Sequence, residues 1–207
     1  MRAFAPDIYL YALHVAFWAA FLLTRLLVRS RGVAPPSPLT TDTVPPAVPA
    51  PVATARFSRL AFVPHLIAFA LLYTGIDNAV FHRLVPEWFA GQRIVGALVI
   101  VAGAALAVSA LLYFHSWRFR AQLDAKHELA TGGPFRYLRN PIYMGLNLLA
   151  LGSAIWVPTT TVWIAVALMF IGSDVRARVE ESVLRETFGE EYRAYAARTR
   201  RFVPGIY

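Results

Sequence analysis

Residues 140–173, NPIYMGLNLLALGSAIWVPTTTVWIAVALMFIGS, run for 34 positions without a charge. That is too long for one membrane span of about 20 residues and too short for two full spans with a turn between them. Pro158 and three threonines lie near the middle, and division at 156–161 leaves arms of 16 and 12 residues. As helices the arms are about 24 and 18 Å long, short of the roughly 30 Å hydrocarbon core. The stretch therefore predicts a short helical hairpin whose open end is completed by polar turns. Arg139 sits at one foot, Asp174 and Arg176 at the other. A polar pocket dipping into one side of the bilayer would keep these residues out of lipid.

The rest of the chain has the same character. Of its 207 residues 57% are hydrophobic and 15% charged, with a mean hydropathy of +0.51. This composition predicts an all-α integral membrane protein. Net charge is +8 with an isoelectric point near 10.3, and Lys126 is the sole lysine, so arginine carries the excess. Because the arginines flank apolar runs, anionic headgroups and the positive-inside rule explain them better than nucleic acid, which is not expected as a partner. The absence of cysteine excludes disulfides, thiolate metal sites and a cysteine nucleophile. No metal site is expected.

Three further spans precede the hairpin. Residues 8–24 are uncharged, and 26–28 extend them past a snorkelling Arg25. Arg25, Arg29 and Arg31 follow without a small-residue cleavage site, which reads as a retained anchor. His14, inside this span, is expected to be hydrogen-bonded within the bundle. Residues 32–55 hold seven of the 14 prolines and read as an extended linker. The second span lies between Arg59 and Asp77, kinked or starting at Pro64. An interfacial connection over 77–93 contains Trp88, and the third span covers 94–117. Gly103-x-x-x-Ala107 predicts a close contact within the bundle. The expected divisions are a first transmembrane helix (1–31), the linker (32–55), spans two and three (56–117) and a C-terminal module (118–207). Arginines cluster after spans one, three and five and before span two. That pattern predicts five spans with the N-terminus outside and the C-terminus cytoplasmic. The lack of an organelle signal points to a bacterial inner membrane.

Chemistry should centre on 126–145, KHELATGGPFRYLRNPIYMG, the long polar segment between apolar runs. Thr131-Gly132-Gly133-Pro134 predicts a tight turn, and Pro141 the first residue of a helix capped by Asn140. A helix N-terminus beside arginine suits a carboxylate or phosphate; the same residues equally suit lipid headgroups. Beyond 173, Arg176 and Glu180 share a helix face, with Glu181 offset by one. Val175, Val179, Val183, Leu184 and Phe188 form an apolar stripe, so the fifth span should continue toward Gly189. A shorter helix should cover about 190–199, and Phe202-Val203-Pro204 should lead an extended tail to the surface.

Several motifs recur in a fixed order: His127-x-Leu129-x-Thr131-x-Gly133, Arg139-x-Pro141-x-Tyr143-x-Gly145, Glu180-Glu181-x-x-Leu184, Phe188-Gly189-Glu190-Glu191-Tyr192, and Tyr195. Together with the hairpin between them, they resemble the membrane-embedded isoprenylcysteine carboxyl methyltransferases and related phospholipid methyltransferases over about residues 115–204. Where the family signature usually reads Arg-His-Pro, this chain has Arg139-Asn140-Pro141. The resemblance implies S-adenosylmethionine as methyl donor, bound between the loop and the C-terminal helix. It further implies that His127, Leu129, Thr131, Gly133, Tyr137, Arg139, Pro141, Tyr143 and Glu181 line the cofactor site, while Arg176 and Glu180 face the reacting end.

Methyl transfer from a sulfonium asks the protein to position its partners and exclude water. A carboxylate acceptor would need an arginine to orient it. An amine would need a base, and Glu180 or Glu181 could serve. The acceptor is expected to be lipophilic and to enter from the bilayer. Two other readings stay open on sequence: a membrane NADPH-dependent reductase, since sterol reductases look similar in their C-terminal halves, and a non-catalytic adaptor that holds membrane lipid.

Overall fold

The computed structural model describes residues 5–31, 61–113 and 129–207. The 32–55 linker, Trp117 and His127 lie outside the described residues. Five helices make up the described protein: α1 (Ala5–Arg31), α2 (Val63–Phe81), α3 (Gln92–Tyr113), α4 (Pro141–Trp156) and α5 (Thr160–Arg198), with a single 3-10 turn at Gly133–Arg136 before α4. The protein is all-α, and α1, α2 and α3 are each long and apolar enough to cross a membrane. α2 starts at Val63 with Pro64 in its first turn, where a missing N–H costs nothing. α4 has the 16 residues of a short arm, and only 157–159 separate it from α5.

α5 runs 39 residues and is continuous through Asp174 as far as Gly189, whose φ of 51° breaks it in two. Only glycine takes that conformation at little cost, which is why the turn falls there. The helix thus reaches Gly189 as the apolar stripe predicts. Val175, Val179, Val183, Leu184 and Phe188 are half-buried, while Ser173, Arg176, Ala177 and Glu181 form the buried face, because this part of the helix packs against a polar loop. One expectation fails at this end of the chain: the tail is not extended. Phe202 is buried, and the Phe202 and Val203 N–H groups both donate to the Tyr207 carbonyl, closing a compact turn.

α3 and α4 pack so closely that glycine backbones meet. A Cβ built on Gly103 would lie 2.7 Å from the Gly145 carbonyl oxygen, and one on Gly152 would lie 2.6 Å from that of Gly96. A Cβ on Gly145 would strike Ala107, so the 103–107 pair makes a contact inside the bundle. Small residues let membrane helices approach in this way. Gly103→Ala and Gly152→Ala are each expected to destabilise by about 1–3 kcal/mol, because overpacking exceeds the roughly 1 kcal/mol that alanine gains in helix propensity. Thermal unfolding in detergent measures the loss.

A second cross-brace is polar. The His14 ring nitrogens lie 3.1 Å from the Tyr73 hydroxyl and 2.9 Å from Ser153 Oγ. Ser153 also donates to the Leu149 carbonyl, and Trp18 Nε1 donates to Tyr73. His14 thus ties α1 to α2 and α4 with both nitrogens partnered.

Candidate active site

The polar ends of α4 and α5 come together at the 3-10 turn and the C-terminal segment. Gly133 has a φ of 53°, and a Cβ there would run into the Tyr113 ring at the end of α3. The backbone then enters Tyr137 to Asn140, where the Arg139 N–H donates to the Arg200 carbonyl at 2.7 Å and the Asn140 N–H to that of Arg201 at 3.2 Å. The Arg200 N–H returns a bond to the Tyr137 carbonyl, completing one parallel bridge between Leu138 and Arg200. The tail therefore straps the loop to the far end of α5. Asn140 does not cap α4 with its side chain. Its Nδ2 donates to Glu181 Oε1 at 2.9 Å, a charge-assisted bond that turns the amide toward α5.

Glu181 is the hub of the site. Its Oε1 also accepts from Arg139 Nε at 3.2 Å and Arg201 Nε at 3.0 Å, and its Oε2 from Arg201 Nη2 at 3.0 Å. Arg201 thus grips it in the bidentate fashion that planar guanidinium allows. The remaining Arg139 donors reach the Ala196 and Thr199 carbonyls at the end of α5. Arg201 continues through Nη1 to Asp174, which also accepts from Arg178 and from the Tyr207 hydroxyl.

Burial pushes the Glu181 carboxyl up, but hydrogen bonds from Arg201 and the charges of Arg139 and Arg201 outweigh it, holding the group below its ordinary 4.5. Asp174 behaves alike: desolvation raises it, and Arg178, Tyr207 and Arg201 bring it below 3.8. A carboxylate with a depressed folded-state pKa adds stability that is complete above its unfolded value and is lost as pH falls through the folded one. The melting temperature in detergent is therefore expected to hold from about pH 7 to 5 and to fall below about pH 4. Glu181→Gln should flatten that fall.

One turn nearer the bilayer lies a second cluster. Tyr143, on the first turn of α4, donates its hydroxyl to Glu180 Oε1 at 2.5 Å. Arg176 Nε donates to the Tyr143 hydroxyl at 2.8 Å, and its Nη2 to Glu180 Oε1 at 2.7 Å. The three groups close a ring across α4 and α5. Arg176 is buried, whereas Glu180 keeps 46% of its side-chain surface open. Desolvation nevertheless raises the Glu180 carboxyl above its usual range, against the pull of Tyr143 and Arg176. Glu180 is thus a solvent-reachable carboxylate with a dampened preference for its charge.

The remaining loop residues lie apart from these rings. Leu129 and Thr131 are half-buried, Pro141 is buried, and the Tyr137 ring is 64% exposed. Thr131 lines a cleft of about 380 Å³ with Arg136, Tyr195 and Arg198. Tyr195 fixes its floor by donating to the Phe135 carbonyl at 2.9 Å. Arg198 and Arg201 were not among the expected site residues, and Arg136 and Asn140 were expected only as members of the 126–145 loop. The signal for Arg198 and Arg201 was the Arg198-Thr199-Arg200-Arg201 run, which reads as charge at a helix end.

A family model described as phospholipid methyltransferase matches residues 92–191, from the start of α3 to just past the Gly189 break. Two curated relatives, each a probable protein-S-isoprenylcysteine O-methyltransferase, come from Oryza sativa subsp. indica and subsp. japonica. Each is 30% identical over 145 residues, which cover 68% of this chain and 74% of the relative. The chain belongs to the isoprenylcysteine and phospholipid methyltransferase family. In this family member the matched region contains both rings, Arg139–Asn140–Glu181 and Tyr143–Arg176–Glu180, but stops short of Arg201, which completes the first.

Proposed function

We propose that this protein transfers a methyl group from S-adenosylmethionine to the carboxylate of a lipophilic, prenylcysteine-type acceptor drawn from the bilayer. The observation that carries the proposal is the Tyr143–Arg176–Glu180 ring, which joins the foot of α4 to α5 where polar groups meet apolar helices. The relatives' activity on an isoprenylcysteine favours a carboxylate, and family membership favours methyl transfer over NADPH-dependent reduction.

The residues suit the cofactor. The cleft bounded by Thr131, Arg136, Tyr195 and Arg198 has a size within the roughly 300–1,000 Å³ of small-molecule sites and presents two guanidiniums to a carboxylate. When bound there, S-adenosylmethionine supplies an electrophilic methyl group on a sulfonium, with a neutral thioether as leaving group. Leu129, Gly133 and Arg139 shape the loop beside it, with His127 the expected contribution from the preceding segment. Glu181 holds that loop against α5 through Arg139 and Asn140. Arg176 orients the acceptor carboxylate, which is already ionised and needs no base. Tyr143 and Glu180 fix the guanidinium plane, and the apolar helices around it limit water. We place this end of the bundle at the cytoplasmic face, as the arginine distribution predicts, and take the membrane to be a bacterial inner membrane because the chain carries no organelle signal.

The raised Glu180 carboxyl supports a second reading, an amine acceptor with Glu180 as base. The test uses purified protein in detergent micelles. Saturable S-adenosylmethionine binding that is kept in Glu180→Ala and lost when Arg136 and Arg198 are both replaced by alanine is expected, as is methyl transfer to an S-prenylcysteine but not to its α-carboxamide. Transfer to phosphatidylethanolamine instead would establish the amine reading. Binding of NADPH in place of S-adenosylmethionine would refute both.

A further inference from the structure

The Tyr143–Arg176–Glu180 ring has a third wall, and it comes from outside the region that the family model matches. The Phe62 ring, just before α2, lies 3.7 Å beneath the Arg176 guanidinium carbon. His65, one turn on, packs its ring 5.9 Å from that of Tyr143. Both residues lie N-terminal to the matched 92–191.

The His65 contact is unusual for a buried side chain. Ser173 Oγ donates to Asn147 Oδ1 at 2.8 Å, so the same hydroxyl must accept the 3.2 Å bond from His65 Nε2. That assigns the proton to Nε2 and leaves Nδ1 as a bare acceptor. Among the described residues Nδ1 has no hydrogen-bond partner, and neither has Asn147 Nδ2. Nδ1 lies against Gly172, where a built Cβ would approach it to 2.8 Å. Both residues are buried. A buried imidazole with one nitrogen unsatisfied is costly, and an apolar residue of similar size would avoid that penalty. Sites that break a local rule in this way tend to be functional.

We propose that Phe62 and His65 are positioning residues for Arg176. Phe62 supports the face of the guanidinium, and His65 braces Tyr143, the acceptor of the Arg176 Nε bond. Together they aim Arg176 at the acceptor carboxylate, so acceptor selection depends on the first turn of α2. The inference rests on the methyltransferase reading for its kinetic meaning, but the orientation of Arg176 can be read without it.

The experiment compares wild type, Phe62→Leu, Phe62→Trp and His65→Leu in detergent. The first readout is hydrogen exchange at Arg176 Nε by NMR, assigned by its loss in Arg176→Lys. Exchange at least about tenfold faster in Phe62→Leu and His65→Leu, restored in Phe62→Trp, is expected, because the bond to Tyr143 loosens. The second is methyl transfer to an S-prenylcysteine. The two leucine variants should raise acceptor KM or lower kcat about tenfold while KM for S-adenosylmethionine stays within about twofold. His65→Leu should melt no lower than wild type. Unchanged Nε exchange in both variants would overturn the proposal. So would a loss of activity that merely tracks a lower melting temperature, which is the mark of a packing role. Absence of methyl transfer by the wild type would sink the functional reading alone, since the exchange readout stands apart from it.

Discussion

Arg176→Lys is expected to lower kcat/KM for a prenylcysteine acceptor by about 10²–10³-fold, the scale of removing one aligned electrostatic donor. Lysine keeps the charge. It cannot, however, donate from one plane to both the Tyr143 hydroxyl and Glu180 Oε1, as Arg176 does at 2.8 and 2.7 Å. Nor can an ammonium offer the Phe62 ring the planar face of a guanidinium, whose carbon lies 3.7 Å from the ring centre. Affinity for S-adenosylmethionine should change little, because the cleft proposed for it is lined by Thr131, Arg136, Tyr195 and Arg198 instead. Steady-state kinetics with each substrate varied in turn measure the split. A fall in cofactor affinity matching the fall in turnover would move Arg176 from the acceptor side to the cofactor side.

Glu181→Ala carries the largest expected loss of stability, about 3–5 kcal/mol, because it strips buried cations of their partner. The Arg139 and Arg201 side chains are only 15% and 14% exposed and Glu181 only 5%. At that depth the cost is desolvation without compensation, far above the median of about 0–1 kcal/mol for surface pairs. Asn140 Nδ2 would lose its acceptor as well. Arg201 would keep Asp174 and Tyr207, and Arg139 the α5 carbonyls, so the variant should fold but melt early and release the loop first. Proteolysis around 129–140 under native conditions, set beside thermal unfolding, reports both effects.

What the sequence revealed, and what it hid, follows from the range of the forces involved. The short arm of α4, the break near Pro158 and the run of α5 to Gly189 follow from bilayer thickness and backbone sterics, which act locally. The close contact at Gly103-x-x-x-Ala107 was legible for the same reason. The pairing of Arg176 with Glu180 was legible too, being one helical turn. Tyr143 was legible only as a member of a motif; its place between those two charges depends on how α4 meets α5.

The hidden parts are long-range. Nothing in Arg198-Thr199-Arg200-Arg201 signals that its backbone pairs with residues 137–140, some 60 positions earlier, or that Arg201 grips Glu181. Asn140 was legible as a helix cap, since its preference for that position is local. Its Nδ2 bond to Glu181 was not legible, because that partner lies 41 positions further along the chain. The valine stripe of α5 foretold the helix to Gly189 but does not mark its buried face, because apolar residues do so only where the neighbour is apolar. Here the neighbour is the Arg139–Asn140 loop, so the buried face carries Arg176 and Glu181.

The claim that the loop foot and the α5 face act as one site is tested most directly by a double-mutant cycle on Tyr143→Phe and Glu180→Gln, read as kcat/KM for methyl transfer. Because the Tyr143 hydroxyl sits between Arg176 and Glu180, either change opens the ring. The double variant should then be little worse than the worse single one, a coupling of about 1–3 kcal/mol. Strictly additive losses would mean that Tyr143 and Glu180 serve methyl transfer independently, and the unit built from α4 and α5 would have to be abandoned.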